Sequence, residues 1–378
     1  MRIIVIGGGP AGLYFSLLMK RRNPSHEITV FERDGPNDTF GWGIVFSDQT
    51  FSYLQQGDQR SFDEITQACV RWDNVDVVHR GQKVTIRGNR FSGIARLAFL
   101  NILHRRCEAL GVDVRFHTNV SDPDRFADCD LLVGADGAHS LVRERRRDEF
   151  RPTLDRRQNK YIWLGTHQLF HGLTLTFRQT EAGTFAAHSY KFNATTSTFI
   201  VECPPPTWER AGFATMDERA TCAYLERVFA DDLGGHGLLT NNFVKWLNFV
   251  LVRNRRWRSG RTVLLGDALH TAHFSIGSGT KLALEDAIAL ASAFVDREDR
   301  DDVEAALERF ESSRKPVVDG IQEAAYESLL RFERMEEDMT LDPLPFAYRL
   351  MTRSGRIDHE KLRRRDPAFV AAYENATR

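Results

Sequence analysis

The chain opens on Ile3-Ile4-Val5-Ile6, a run apolar at every position and too short for a helix, the pattern of a strand buried on both faces. Residues 10–22 follow with helical character, and Ile28 to Glu32 form a second strand-like run, so the N-terminus predicts a βαβ unit. Ile94, Leu97, Leu100 and Leu103 stand at helical spacing and predict a helix across 91–110, with a strand over 112–116. Residues 130–135 predict another buried strand, ending in Asp136-Gly137. The pattern then changes. From about 159 to 202, β-rich runs at Lys160–Thr166, Leu173–Arg178, Thr184–Phe192 and Thr195–Val201 are separated by turn residues, which predicts an antiparallel sheet. A helix over 217–230 follows, then a buried strand near 261–266 and a helix from 277 to 296. The remainder from 301 is helical and highly charged. The chain thus leaves its first domain and returns to it. The expected organisation is α/β: a discontinuous Rossmann-like domain (1–70, 90–155 and 255–300), an inserted antiparallel β-sheet domain (71–89 and 156–254), and a C-terminal helical region (301–378).

A length of 378 residues suits such a multi-part fold, and 42% hydrophobic with 27% charged residues is ordinary for a soluble globular protein. Basic and acidic residues nearly cancel, to a net charge of −1, so bulk charge gives no reason to expect nucleic acid or an anionic membrane as partner. Five scattered cysteines without CxxC spacing argue against a disulfide framework or a zinc site and suit a reducing cytoplasm. No signal-peptide pattern and no long apolar run is present, so the expected location is cytoplasmic.

Gly7-Gly8-Gly9-Pro10-Ala11-Gly12 matches G-x-G-x-x-G directly after a strand and directly before a helix. Gly7 makes the tight turn, Gly9 lets backbone approach a pyrophosphate, and Gly12 lets helix and strand pack closely; Ala11 lies in the same turn. Glu32, at the end of the second strand, is placed to hydrogen-bond a ribose hydroxyl, with Arg33 beside it. The motif alone does not separate FAD from NAD.

Two further stretches do. Asp136-Gly137-Ala138-His139-Ser140-Leu141-Val142-Arg143 resembles the DG fingerprint of flavoprotein aromatic hydroxylases. Gly266-Asp267-Ala268-Leu269-His270, leading to Gly277, Gly279 and Thr280, resembles their GD fingerprint. Arg96 is similar to the family's FAD-pyrophosphate arginine, and Phe310-Glu311-Ser312-Ser313-Arg314-Lys315-Pro316 to the motif that opens its C-terminal helices. The resemblance covers essentially the whole chain. It implies a glutathione-reductase-like FAD-binding domain and a single-component monooxygenase with NADH or NADPH as transient reductant. In that family O₂ reacts at flavin C4a and one oxygen passes to an aromatic ring. Asp267, ending a buried strand, then has a ribityl hydroxyl as natural partner, and Gly277 and Gly279 bring backbone N–H groups to the flavin edge.

Candidate substrate contacts come from the middle sheet. His188, Tyr190 and Phe192 share one strand face, and a His or Tyr there is placed to hydrogen-bond or deprotonate a ring hydroxyl, or belongs simply to the core. His167, Trp163 and Phe274 are further candidates. Gly41-Trp42-Gly43 reads either as a flexible loop at the flavin edge or as a turn around a core tryptophan. His270 and His273 lack a third partner for a metal, and none is expected.

Phe40 to Phe46, Asn159 to Thr166, His188 to Phe192, Ser197 to Cys203 and His273 to Gly277 are similar to two subgroups: the salicylyl-CoA and 2-aminobenzoyl-CoA hydroxylases, and the tryptophan hydroxylase of violacein biosynthesis. Asp342-Pro343-Leu344, Met351 to Ile357 and Arg365 to Val370 resemble the aryl-CoA group, whose bifunctional members continue into a reductase barrel. The resemblance implies an aryl-CoA substrate and O₂, with a monomer or homodimer. Arginine clusters at 143–147 and 253–258 are candidates for CoA phosphates, or are solvated faces. The alternatives are hydroxylation of a free aromatic or indole, a flavin-binding module without activity, and a halogenase. No W-x-W-x-I-type segment supports the last.

Overall fold

The computed structural model describes residues 1–241, 244–294 and 302–377. The opening apolar run is the strand Arg2–Ile6, which lies inside a six-stranded sheet. The order is Arg258–Ser259, Thr262–Leu264, Leu131–Gly134, Arg2–Ile6, Glu27–Phe31 and Asp113–Arg115. All neighbours pair in parallel except the short edge strand Arg258–Ser259. Helices Pro10–Arg22, Arg96–Leu110 and Gly279–Ala293 share one apolar core with it. The last residues of the helix expected to 296 lie outside the described residues.

This parallel order is what gathers the motifs. The carboxyl ends of Arg2–Ile6, Leu131–Gly134 and Thr262–Leu264 lie side by side, and from them run Gly7, Asp136 and Asp267. Ligands of open parallel sheets bind outside those carboxyl ends.

The helix expected over 91–110 begins only at Arg96. Phe91–Ala95 is instead a strand between Gly43–Ser47 and Val70–Trp72 in a small antiparallel sheet. Ile94 falls at helical spacing, but Ser92 and Gly93 are poor helix formers, and two pairing partners decide the outcome.

The middle of the chain forms a second sheet, ordered Leu238–Leu239, Pro152–Thr166, Ser197–Cys203, Gly183–Lys191, Leu173–Thr180, Val75–His79 and Gln82–Ile86. Leu247–Asn254 also pairs with Pro152–Thr166, and only Leu173–Thr180 with Val75–His79 is parallel. Ile162, Leu164, Phe185, Ala187, Phe199 and Val201 pack with Leu225 and Phe229 of the helical segment around Glu218–Val228. Val77, Leu175, Phe177 and Ala186 pack instead with the C-terminal helices Pro343–Thr352, His359–Arg365 and Pro367–Ala376. Alternation puts His188 and Tyr190 on the face of Ala186. The Phe310–Pro316 motif lies inside one 31-residue helix, Val303–Glu333, rather than at the opening of the C-terminal helices.

Candidate active site

The glycine turn is built by close approach. Gly7 has φ +110°, and a Cβ there would stand 2.2 Å from the Ala135 carbonyl oxygen; one on Gly12 would meet the Gly7 carbonyl at 2.2 Å. Gly9 caps the Pro10–Arg22 helix, and a Cβ on it would meet nothing within 4 Å. Ala11 is buried in the first turn. Glu32 accepts the Gly8 N–H at 2.7 Å and the Asp34 N–H at 2.9 Å, which fixes its carboxylate against the turn. Arg33 is exposed beside it. Asp136 accepts the N–H groups of Leu141 and Val142 through Oδ2, while its buried Oδ1 has no partner among the described residues. The buried Arg143 guanidinium ties the two fingerprints together by donating to the Ala138 and Ala268 carbonyls.

Asp267 presents its side chain to solvent although protein surrounds it, as a residue on a cleft wall does. The sequence had suggested a buried carboxylate; it is the strand before it that is buried. Enclosure raises the Asp267 carboxyl above its usual range, with Arg96 and His270 opposing. Enclosure lowers the Arg96 guanidinium, with Asp267 and Tyr190 opposing. Arg96 Nε donates to Thr39 Oγ1 at 3.1 Å, and its backbone N–H to the Trp42 carbonyl at 2.8 Å.

The Phe40–Gly43 segment is a turn locked to the second sheet by reciprocal packing. A Cβ on Gly41 would strike the Trp163 ring at 2.8 Å, and one on Gly165 the Trp42 ring at 2.8 Å. Trp163 Nε1 and the Gly43 N–H both donate to Thr198 Oγ1, at 2.9 and 3.3 Å. Tyr190 donates its hydroxyl to the Gly43 carbonyl at 2.8 Å and stacks on Trp72. Burial pushes the Tyr190 phenol up, with Thr198 and Arg96 opposing, so its proton is committed to that carbonyl.

Gly277 takes φ +61°, and Gly279 and Thr280 open the Gly279–Ala293 helix. Phe274, in the preceding turn, lies 5.0 Å from the Tyr161 ring and 5.2 Å from His188. His188 is buried, with Nε2 3.2 Å from Glu202 Oε2; Nδ1 has no hydrogen bond among the described residues. Glu202 Oε1 accepts from Asn159 Nδ2 at 2.8 Å. Burial would raise the Glu202 carboxyl, but the hydrogen bond from His188, the fields of His273 and His188, and the bond from Asn159 bring it below the usual range. An ionised carboxylate only accepts, so Nε2 carries the proton and Nδ1 the lone pair. His273 Nδ1 lies 2.9 Å from Ser275 Oγ, and burial holds the imidazole down at about 4, so it is neutral.

The structure therefore brings Trp42, Trp163, Tyr190, Arg96 and Asp267 to one part of the cleft and His188 and Phe274 to another. Tyr161 links them: burial pushes its phenol up to about 12, and Asp267 adds to the rise. His167 stands apart, exposed on a turn with Nδ1 3.1 Å from the Thr195 carbonyl. His270 is paired with Asp286 at 2.6 Å. Sequence reasoning missed Glu202, Tyr161 and Asn159. An acid in the buried run Thr198-Phe199-Ile200-Val201-Glu202-Cys203 was itself the signal, because a carboxylate there requires a partner. In the arginine clusters, Arg146, Arg147 and Arg258 pair with Asp124, Glu144 and Glu308, whereas Arg255 and Arg256 are exposed.

A βαβ glycine turn, two Asp-containing loops at the same sheet edge and a set of aromatic side chains of the second sheet and the Phe274 turn beside them are the parts of a flavin-dependent oxidoreductase. The sequence profile of the FAD binding domain family matches residues 1–325, and the chain belongs to that family, as an FAD-dependent aromatic hydroxylase. It is 41% identical over 380 aligned residues to salicyloyl-CoA 5-hydroxylase of a Streptomyces species, covering 98% of this chain and 72% of that protein. It is 36% identical to the 3-hydroxy-4-methyl-anthranilyl-[aryl-carrier protein] 5-monooxygenase of Streptosporangium sibiricum, over 96% of this chain and 97% of that protein. It is 35% identical to protodeoxyviolaceinate monooxygenase of Chromobacterium violaceum, over 92% and 93%. The residues present fit FAD. Gly9, Gly137 and Gly279 border open space, Asp136 Oδ1 is an acceptor without a partner among the described residues, and Asp267 and Arg96 face each other's charge.

Proposed function

We propose that this enzyme hydroxylates the ring of an aryl acid carried as a thioester, with salicylyl-CoA the first substrate to test. The observation that supports it is the match, over almost the whole chain, to two relatives named for aryl groups held on CoA and on a carrier protein. Gly7, Gly9, Ala11, Gly12 and Arg96 would take the FAD pyrophosphate, and Glu32, with Arg33 beside it, the ribose. Asp136, Asp267, Gly277, Gly279 and Thr280 would hold the remainder, within an FAD-binding part made of 1–70, 90–155 and 255–300. FAD, when bound and reduced by NADH or NADPH, would pass two electrons to O₂, one oxygen atom of which goes to the ring and the other to water.

The chain supplies everything else. Trp42, Trp163, Tyr161 and Phe274 offer aromatic surface that orients a ring and excludes water. His188, held at Nε2 by Glu202, offers the Nδ1 lone pair to a ring hydroxyl or amine. Removing that proton enriches the ring in electrons at the moment it meets an electrophilic oxygen. Tyr190 positions the Phe40–Gly43 turn and does not act as base.

The test is NAD(P)H oxidation in air by the FAD-loaded protein with salicylyl-CoA, 2-aminobenzoyl-CoA, their free acids and tryptophan, products weighed by mass spectrometry. Stimulation by a thioester, with gain of one oxygen atom, is the expected result. Stimulation by a free acid or tryptophan alone would overturn the thioester assignment.

A further inference from the structure

Arg353 follows the Pro343–Thr352 helix and reaches the His273–Ile276 turn. Nε donates to Ser328 Oγ at 2.8 Å, Nη1 to the Leu350 carbonyl at 2.6 Å and Nη2 to the Ser275 carbonyl at 2.6 Å. All three acceptors are neutral. A guanidinium carries five N–H groups, so one on each terminal nitrogen has no protein acceptor among the described residues. Neighbouring enclosed cations are matched: Arg96 faces Asp267, Arg157 pairs with Glu333 and Asp155, and Arg314 with Asp286 and Glu285. Arg353 has no carboxylate partner among the described residues.

The groups around it do not supply one. His273 is neutral, Glu202 is committed to His188 and Asn159, and Ser275 and Ser328 are hydroxyls bonded to each other at 2.8 Å. Burial lowers the Arg353 guanidinium to about 10, which still leaves it a cation at neutral pH. Like Asp267 and Arg96, it is enclosed by protein yet keeps accessible surface, the mark of a crevice wall. It lies over the Phe332 ring at 5.6 Å, and Phe332 meets His188 at 4.7 Å. A lone enclosed charge is costly unless an anion compensates it.

We propose that Arg353 is the residue of the substrate site that recognises the acyl group of the aromatic ligand, its two spare N–H groups donating to the acyl oxygen, and most strongly where that oxygen is the anionic oxygen of a free acid. The proposal rests on the cleft being the aromatic-substrate site. Reduced flavin is also an anion, its charge spread over N1 and the C2 carbonyl oxygen, so the experiment separates the two sources.

FAD-loaded wild type, Arg353→Met, Arg353→Lys and Ser328→Ala are titrated with salicylate and anthranilate and with the neutral salicylamide and 2-aminobenzamide, following flavin absorbance. The wild type should prefer acid over amide by about tenfold or more. Arg353→Met should lose that preference with amide binding unchanged, Arg353→Lys should keep part of it, and Ser328→Ala should keep it. A wild type without acid preference, or a preference that survives in Arg353→Met, overturns the proposal. A lowered midpoint potential in Arg353→Met with acid preference intact would assign the charge to the cofactor and likewise overturn it. Should Arg353→Met fail to hold FAD, equal loss of preference in Arg353→Lys and Ser328→Ala would reduce Arg353 to a structural latch. The readout is binding, so failure of the thioester assignment in turnover leaves this result distinct.

Discussion

A single carboxylate, Glu202, decides what His188 can do. It accepts the hydrogen bond of Nε2 and, with a second one from Asn159, is held ionised, so the free lone pair sits at Nδ1. Glu202→Gln keeps the shape and removes the charge that steadies the imidazolium. We expect kcat to fall about 10- to 100-fold with FAD retained and KM little changed. Stopped-flow turnover over a range of substrate concentrations would check both. An unchanged kcat would make His188 a packing residue. His273 acts on stability instead. Burial holds it near 4 against an ordinary value of 6.5; Glu202 resists, and His188, Arg353 and Arg157 add to the drop. Between those two values the unfolded chain binds a proton that the folded chain refuses. The stability conferred by neutral His273 is therefore whole above about pH 6.5 and is lost as pH falls toward 4. His26, also held near 4 by burial, behaves alike. Urea unfolding should show His273→Asn removing roughly 2 kcal/mol of the loss between pH 7 and 5, with His26 supplying a similar remaining slope.

At the scale of elements, strands buried on both faces were the most legible. Ile3–Ile6, Leu131–Val133 and Val263–Leu264 are apolar and buried throughout, and each strand is followed within three residues by the glycine or aspartate of a fingerprint, while the order in which they lie in the sheet comes from the structure. Phe91–Ala95 was not legible, because Ile94 fits helical spacing and only the strands on either side make it a strand. Nor was the His188–Glu202 pair. Glu202 stands opposite Ala186 and His188 opposite Ile200, so the two meet on a diagonal that requires knowing the register. The two readings of Gly41-Trp42-Gly43 likewise needed Gly165. The Trp42 indole lies where that glycine lacks a side chain, while Trp163 does the same at Gly41. Two glycines and two tryptophans thereby fasten the turn whose carbonyls receive the Arg96 N–H and the Tyr190 hydroxyl.

Across the whole molecule, one helix joins the parts. Val303–Glu333 contributes Ala306, Leu307, Phe310 and Val318 to the core of the parallel sheet, and Phe332 to the core beneath the C-terminal helices. Its last residue, Glu333, takes Arg157 of the second sheet in a two-pronged ion pair, Nε to Oε1 at 3.2 Å and Nη2 to Oε2 at 2.6 Å. It also accepts the Gln158 N–H at 3.1 Å. Both side chains are largely buried, at 14% and 10% exposed, so removing one strands the other. Asp155, at 2.6 Å from Arg157 Nη1, moderates the loss, and Glu333→Ala should cost about 2–3 kcal/mol rather than the full penalty of an unpaired buried charge. If the ion pair couples the two sheets, the variant should also release flavin, followed by fluorescence, at a lower denaturant concentration than it loses far-UV ellipticity. In the wild type the two transitions should coincide. Coincident transitions in the variant, at whatever stability, would mean that the apolar seam along Val303–Glu333 unites the sheets without the ion pair, and that Arg157 and Glu333 serve only to close the end of the helix.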